Sequence, residues 1–498
     1  MLTCGVTGFL VSWLSIPFIG RNAARTKAVP GGRSFHHTHS SPVPRFGGIA
    51  IAGGFLLVIA AIALLSPGVL TGWPKLGLVA GSLAVLALGL RDDFKPLGAR
   101  VKLAAQVLIA AAVYFSGVQI EQLKNPVTGA VYQLGAWGLV ATVLWLVTLT
   151  NLINLIDGID GLAGGISLML MCLLACFGTT ADPFSLCLTI GTAGAIIGFL
   201  CFNFPPAKIY LGDGGAYFLG FLIGALTISN SHKGTVAAAL IAPVFALALP
   251  IVDVMLAIAR RGLKGLPIFR PDRGHIHHRL VDLGFSRRGA LLVLYGLSLA
   301  FLSLALVVFW SRGQLVPILF GAMFLIFFVS ARLFGFLKDW SAVTRELGIS
   351  WQLRKETRYA LVLCQWLEME ADRCETLQEL WTTYLFITRK LGLSQVKLVL
   401  DTGRTVSRSE AIHHQASDFH RNRHELPLAN IRAIEFGSEG SAMSARLFEH
   451  LTELAAEGWM KAVQRWQTVN QIPAVFEPAL PSETAFFARG RALVANVG

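Results

Sequence analysis

Long apolar stretches recur through the first two thirds of this chain, and their lengths suit a lipid bilayer as solvent. A hydrocarbon core of about 30 Å is crossed by roughly 20 apolar residues in a helix, and in lipid every backbone polar group must find its partner inside the segment. Such stretches lie at 2–20, 46–66, 76–90, 101–117, 134–151, 162–179, 184–202, 215–230, 235–258, 290–310 and 314–337. They predict an all-α polytopic membrane protein of about 11 transmembrane helices. Only 14% of the residues are charged, against about 25% in an ordinary soluble domain, so a water-soluble fold would lack the polar surface to cover itself. The first stretch has no basic residues ahead of it and runs straight into further spans, so it reads as a retained helix and not as a cleaved signal.

Lys and Arg are retained on the cytoplasmic side of such proteins. The loops 20–45, 91–102, 151–163, 203–214 and 259–289 hold 18 of them, and the alternate loops hold only Lys75, Lys124, Lys233 and Arg312. That asymmetry predicts a multi-pass protein of the plasma (inner) membrane with its N-terminus outside and its C-terminus in the cytoplasm. Residues 332–498 carry 20 basic and 19 acidic side chains, so nearly all of the net charge of +13 belongs to the membrane part. Topology accounts for part of this charge, and attraction of anionic headgroups and polyanionic substrates for the rest.

Past Lys338 the long apolar runs give way to amphipathic patterning. We read 1–337 as the membrane domain and 338–498 as a cytoplasmic, soluble α+β domain, with helices over 342–390 and 443–468 and strands at 395–401 and 430–436. The seven cysteines form no Cys-x-x-Cys pair and read as packing residues.

Polar side chains at membrane helix ends are costly unless a cavity, metal or partner receives them, and the large clusters here all fall on the loops assigned to the cytoplasm. Arg91-Asp92-Asp93-Phe94-Lys95, with Arg100 and Lys102, places two adjacent carboxylates among four cations. Asn151, Asn154, Asp157 and Asp160 recur every third residue in a glycine-rich segment that runs to Gly165, an oxygen-rich set suited to Mg²⁺ and sugar hydroxyls. The stretch Asn203 to Gly215 breaks a helix with Pro205 and Pro206, carries Lys208, and leaves Asp213 between glycines, where it is the best candidate metal ligand. Arg273, His275, His277 and His278 sit in the largest basic loop. No Cys or carboxylate completes a structural zinc spacing there, so these groups suit a diphosphate and a uracil better. Arg45 precedes Gly47-Gly48 and could meet a lipid phosphate. The chain has no Walker A, dinucleotide-binding or His-Glu-x-x-His motif, which removes support for a P-loop ATPase, a dinucleotide enzyme or a zincin.

Taken in order, Pro44-Arg-Phe-Gly-Gly48, Asp92-Asp93, Asn151–Gly165, Asn203–Tyr217 and His275–His278 resemble the polyprenyl-phosphate N-acetylhexosamine-1-phosphate transferases, the family of WecA, TagO and MraY. The resemblance covers residues 1 to about 337. It implies a helical membrane enzyme, commonly a homodimer, dependent on Mg²⁺ or on Mn²⁺ in its place. Its substrates would be a UDP-sugar donor and a polyprenyl phosphate acceptor, with the bilayer as setting and no nucleic acid. Carried over, Asp213 resembles the metal ligand, helped by Asn154. Lys102 resembles a phosphate-binding lysine, and Asp92 or Asp93 a base or lipid-phosphate positioner. Asp157 and Asp160 resemble residues near nucleotide and sugar, and His275, His277 and His278 the donor-loop histidines. The His-Ile-His-His pattern is closer to the WecA and TagO type than to MraY, which favours UDP-GlcNAc over UDP-MurNAc-pentapeptide. The competing classes are a transporter, whose site would lie near the midplane, and an inactive scaffold, against which the intact acidic set argues. The resemblance is silent on the tail, whose ligand or partner is unassigned.

Overall fold

The computed structural model describes residues 1–25, 43–124, 130–178, 182–231, 276–311, 315–333, 340–401, 405–409, 419–428, 430–439 and 443–471, with scattered positions between 244 and 262. The chain forms two compact units that meet in sequence at Val343/Thr344. Each has its own hydrophobic core.

The first unit is helical: α1 (Leu2–Arg25), α2 (Gly47–Leu65), α3 (Trp73–Phe94), α4 (Ala99–Phe115), α5 (Trp137–Ile156), α6 (Leu162–Gly178), α7 (Pro183–Asn203), α8 (Gly212–Ser231), the short α9 (Ile276–Asp282), α10 (Arg287–Trp310) and α11 (Val316–Leu333). Ten of the eleven apolar stretches coincide with a helix, and the other, 235–258, lies largely outside the described residues. Six helices are long and apolar enough to cross a membrane by themselves, in α1, α2, α3, α5, α7 and α10. The expectation of about 11 spans therefore reduces, among the described residues, to a mostly helical unit with six candidate spans. A small antiparallel hairpin, β1 (Gln122–Lys124) with β2 (Val131–Gln133), joins α4 to α5 and was not legible as strand.

Helix α8 is the axis of this unit. Its sequence is apolar on every side, the pattern of a helix enclosed by others, and Phe218, Leu219, Leu222, Ile223 and Leu226 are fully buried among α2, α3, α5 and α6. Glycines let α1 and α7 approach closely, since a Cβ at Gly8 would overlap the Gly191 carbonyl and one at Gly194 the Gly5 carbonyl. Helices α3, α5 and α7 end, and α4, α6 and α8 begin, at one end of the unit, so their polar termini are brought together there. At the opposite end Lys75 reaches the Asp182 carboxylate at 3.2 Å and the Val69 carbonyl at 2.7 Å.

The second unit is an α+β layer: α12 (Trp340–Glu370), α13 (Leu377–Lys390), β3 (Gln395–Leu400), β4 (Thr405–Ser409), β5 (Phe419–Leu428), β6 (Ile431–Glu439) and α14 (Ala445–Asn470). The antiparallel sheet runs β4-β3-β6-β5. Its register pairs Val396 with Phe436, and Asn422 and His424 with Phe436 and Ile434. Strands β4 and β5 were missed because they alternate polar with polar. His420 and His424 lie on β5. His424 and Asn422 there both meet Thr452 of α14, at 3.1 and 3.0 Å, and His420 packs against Phe448. His413 and His414 lie outside the described residues. Capping is explicit in this unit: Thr376 accepts from the Glu379 amide, and Glu379 returns a bond to the Glu375 amide. Arg465 grips Asp372 with two bonds of 2.7 and 2.5 Å. That pair holds the Asp372 carboxyl below its usual value, so its small contribution is present at neutral pH and is lost as pH falls through the folded value.

Trp459 centres this core, with Tyr384 at 4.9 Å and Trp381 at 5.1 Å between ring centroids. Replacing it by Ala leaves a cavity under both helices, at a cost of about 3–5 kcal/mol. Hydrogen exchange of the α13 and α14 amides should therefore quicken strongly in Trp459→Ala, and unchanged protection there would show that this ring is not the keystone of the unit.

Candidate active site

The gathered helix ends hold most of the residues singled out from the sequence, and the structure gives them different tasks. Asp92 and Asp93 belong to the last turn of α3 and are not on a free loop. Asp93 turns both oxygens onto the start of α8: Oδ1 accepts the Asp213 N–H and Oδ2 the Gly214 N–H, each at 3.0 Å. An anion at a helix N-terminus satisfies orphan donors and faces the positive end of the helix dipole. Gly212 makes this possible, because its φ of +77° turns the chain into the helix where a side chain would be strained and would press on Arg45 O and Asp93.

Asp92 is buried. Its Oδ1 accepts the Leu97 N–H at 2.7 Å, and its Oδ2 is ion-paired to Lys102 in the first turn of α4. The same ammonium lies 3.8 Å from Asp213 Oδ2, so Lys102 is within reach of both carboxylates. Asp213 keeps an Oδ edge open, with its side chain 36% exposed.

Asn151 and Asn154 lie on the last turns of α5, which runs five residues beyond the stretch expected from hydropathy, to Ile156. The Asn151 amide donates to Gln106 Oε1 at 2.6 Å and to Val147 O at 2.8 Å, which ties α5 to α4 and leaves only its oxygen for a ligand. Asn154, one turn on, is half-buried. Asp157 follows the helix end. Burial pushes its carboxyl well above the usual range, the negative charges of Asp213 and Asp93 push it further, Arg45 opposes them, and Asp160 adds to the rise. These five groups are thus within electrostatic reach of one another. The Asp160 carboxylate accepts the Ala207 N–H at 3.0 Å. Arg45 is exposed on the segment Pro44–Gly48, whose backbone pairs with Tyr210 and Leu211. Lys208 is exposed, and its backbone N–H bonds to Phe202 O. Arg273 and His275 lie outside the described residues, as do the side chains of His277 and His278, whose backbone forms α9. Among the described residues, no group of three or more His, Cys, Asp or Glu is arranged to hold a metal alone.

Two contributors were overlooked in the sequence. Gln106 is buried about two turns inside α4 and receives Asn151. Asp253 accepts the Ile276 N–H at 3.0 Å and so starts the histidine-bearing α9. A lone polar residue within an apolar stretch was the available signal for each.

The sequence profile described as Glycosyl transferase family 4 matches residues 75–231, the span from before Asp92 to beyond Asp213. A Bacillus subtilis (strain 168) protein named "probable undecaprenyl-phosphate N-acetylglucosaminyl 1-phosphate transferase" is 35% identical over 297 residues, covering 58% of this chain and 81% of that protein. This chain belongs to glycosyl transferase family 4. The decaprenyl-phosphate N-acetylglucosaminephosphotransferase of Mycobacterium tuberculosis (strain ATCC 25618 / H37Rv) is 30% identical over 322 residues, 58% of this chain and 78% of that one. The phospho-N-acetylmuramoyl-pentapeptide-transferase of Desulforudis audaxviator (strain MP104C) is 31% identical over 292 residues, 54% and 86%. The profile contains every acidic residue of the site, while Arg45 and the histidines fall outside it.

Within this family member the two adjacent aspartates separate experimentally. In Asp93→Ala the amides of Asp213 and Gly214 lose their acceptors and should exchange faster by at least tenfold, whereas Asp92→Asn should leave them protected, on the scale of about 1.5–3 kcal/mol for bonds to a charged acceptor. Equal protection in both variants would remove the capping role from Asp93.

Proposed function

We propose that this enzyme transfers N-acetylhexosamine 1-phosphate, foremost GlcNAc 1-phosphate, from a UDP-sugar to polyprenyl phosphate, as undecaprenyl phosphate, at the cytoplasmic face of the inner membrane, as a first step of cell-envelope polysaccharide synthesis. The observation that carries this reading is the juxtaposition of Lys102, Asp92 and Asp213 at the start of α8. It sets a cation and an open carboxylate edge at a helix N-terminus, a place suited to phosphate. Sidedness rests on the distribution of basic residues, and the names of the relatives supply the acceptor and the sugar.

In the reaction an oxygen of the lipid phosphate attacks the sugar-bound phosphorus of the UDP-sugar. The bond from that phosphorus to the bridging oxygen breaks, UMP leaves with the electron pair, and a polyprenyl diphosphate sugar remains. The lipid phosphate monoester, with a second pKa of about 6, is already largely a dianion near pH 7. Asp92, held by Lys102 and by the Leu97 amide, therefore acts by orienting Lys102 toward the acceptor phosphate. Asp93 keeps the α8 terminus in place.

The donor set suits Mg²⁺, or Mn²⁺ in its place: Asp213 and Asn154 offer hard oxygens, and a divalent cation would offset the charges of Asp213 and Asp93 that, after burial, raise the Asp157 carboxyl. When bound, the metal supplies charge neutralisation on the phosphoryl oxygens. Asp213 with Asn154 would hold it. Asp157 and Asp160 would face the nucleotide and sugar, and Arg45, Asn151, Lys208, Arg273, His275, His277 and His278 remain assigned to substrate. The second unit regulates or localises the enzyme, and the family resemblance makes a homodimer its expected assembly. Transfer of a MurNAc-pentapeptide phosphate is the second reading, favoured by the Desulforudis relative.

Asp213→Asn should abolish UMP release, and EDTA should do the same to the native enzyme until Mg²⁺ is restored; near-normal turnover in either case removes Asp213 from the metal role. For the donor, purified enzyme in vesicles with polyprenyl phosphate should release UMP from UDP-GlcNAc or another small UDP-N-acetylhexosamine. Strict dependence on UDP-MurNAc-pentapeptide would transfer the chain to the second reading.

A further inference from the structure

Asp157 and Asp160 lie on a loop, and a loop holds geometry only if something fixes it. Two side chains of α10 do so. Tyr295 donates its hydroxyl to the Gly161 carbonyl at 2.6 Å, and Arg288 donates from Nε to the Pro205 carbonyl at 2.7 Å. These two carbonyls belong to the segment 157–161, which carries Asp157 and Asp160, and to the segment 203–211, which leads into Asp213.

The segments are also cross-bonded. Asn203 accepts the Gly161 N–H at 2.9 Å and donates to Ile209 O at 2.8 Å, while Asp160 accepts the Ala207 N–H at 3.0 Å. Local sequence has made room for the α10 side chains. Gly161 has φ of +82°, and a Cβ there would lie 3.1 Å from Leu291 and 3.4 Å from the Tyr295 hydroxyl. A Cβ at Gly165 would overlap the Tyr295 ring. At these two positions the glycines of this segment make room for α10.

Helix α10 is also joined tightly to α9. Gly284 N–H bonds to Val281 O and Phe285 N–H to Leu280 O, and Ser286 Oγ accepts the Gly289 N–H. The hairpin α9–α10 therefore carries the backbone of His277 and His278 on one arm and the two loop fasteners on the other.

We infer that Arg288 and Tyr295 are positioning residues that fix the Asp157–Gly161 and Asn203–Leu211 loops to the histidine-bearing hairpin, and thereby set the alignment of the UDP-sugar. This rests on the transferase reading above. Neither residue touches the Asp92–Lys102 pair in any bond described, so the acceptor side of the site is independent of them.

The test uses the full chain in lipid nanodiscs. Tyr295→Phe keeps the ring against Gly165 and removes only the donor, and Arg288→Gln removes the guanidinium. In both, amide exchange at Gly161 and Ala207 should quicken, and kcat/KM for the UDP-sugar should fall about tenfold, the effect of one lost hydrogen bond of ordinary strength. KM for polyprenyl phosphate should stay as in the native enzyme, and Arg288→Lys, which retains a donor for Pro205 O, should recover most of the loss. Unchanged exchange in both variants overturns the inference, because the loops are then not held by α10. Quickened exchange with native kinetics overturns it too, and so does a parallel loss toward both substrates, which marks a general structural defect. If the native enzyme releases no UMP from any UDP-sugar, the transferase reading fails by itself, and the exchange measurements still decide whether the two side chains fix the loops.

Discussion

A carboxylate that accepts two backbone N–H groups at the head of a buried helix is the contact on which this site depends. Asp93 supplies it, and both of its oxygens are committed to α8. Charge-assisted bonds of this kind are roughly twice as strong as neutral ones and fix direction as well as distance. They set the first turn of α8, and that turn contains Asp213. Helix α8 cannot relax away from the contact, since it is enclosed by α2, α3, α5 and α6. The position of Asp213 is thus inherited from the packing of the whole unit through one side chain. Lys102 completes the frame by reaching both Asp92 and Asp213, so α3, α4 and α8 meet at a single ammonium.

The helices and the acidic set were legible because both signals are local. Apolar runs of membrane length name their own secondary structure, and Asn or Asp at every third position next to such runs is rare without a use. What each carboxylate does was not legible. Asp92 and Asp93 are adjacent and identical in sequence, yet successive residues on a helix point about 100° apart. One faces Lys102 and the other the α8 terminus. Nothing in the letters distinguishes them, because the partner lies 120 residues away. Asn151 and Asn154 differ in the same way: the first is turned to Gln106 and the second is not bonded to it. Helix α5 also overran its apolar stretch, since its last two turns are polar where they face the site.

In the second unit the limit was different. Strand β6 could be read from Ile431, Ile434 and Phe436, but β5 carries Arg421, Asn422, Arg423 and His424 in a row, a composition that suggests a loop. Its conformation comes from pairing with β6 and from Thr452, which meets both Asn422 and His424. The Asn422–His424 stretch of β5 is held by hydrogen bonds, while Leu426 and Leu428 join the apolar core that β6 lines throughout. Period-2 hydrophobicity cannot report such a strand, because tertiary context supplies what the pattern lacks.

Electrostatics also indicates why a site so rich in carboxylates suits phosphorylated substrates. Taken alone, Asp92, Asp93, Asp157, Asp160 and Asp213 would repel every anion. Three of them are already answered from within the chain. Asp93 is answered by the α8 amides, Asp92 by Lys102 and the Leu97 amide, and Asp160 by the Ala207 amide. Asp157 and Asp213 remain: burial first, and then the charges of Asp213 and Asp93, push the Asp157 carboxyl above its usual range. Under the function proposed above, a divalent cation held by Asp213 with Asn154 would offset this negative charge and would supply positive charge for a diphosphate. On that proposal Asp93 is committed to the α8 terminus and Asp92 to Lys102, which leaves Asp213 to be aimed at the metal and Asp157 and Asp160 at the donor.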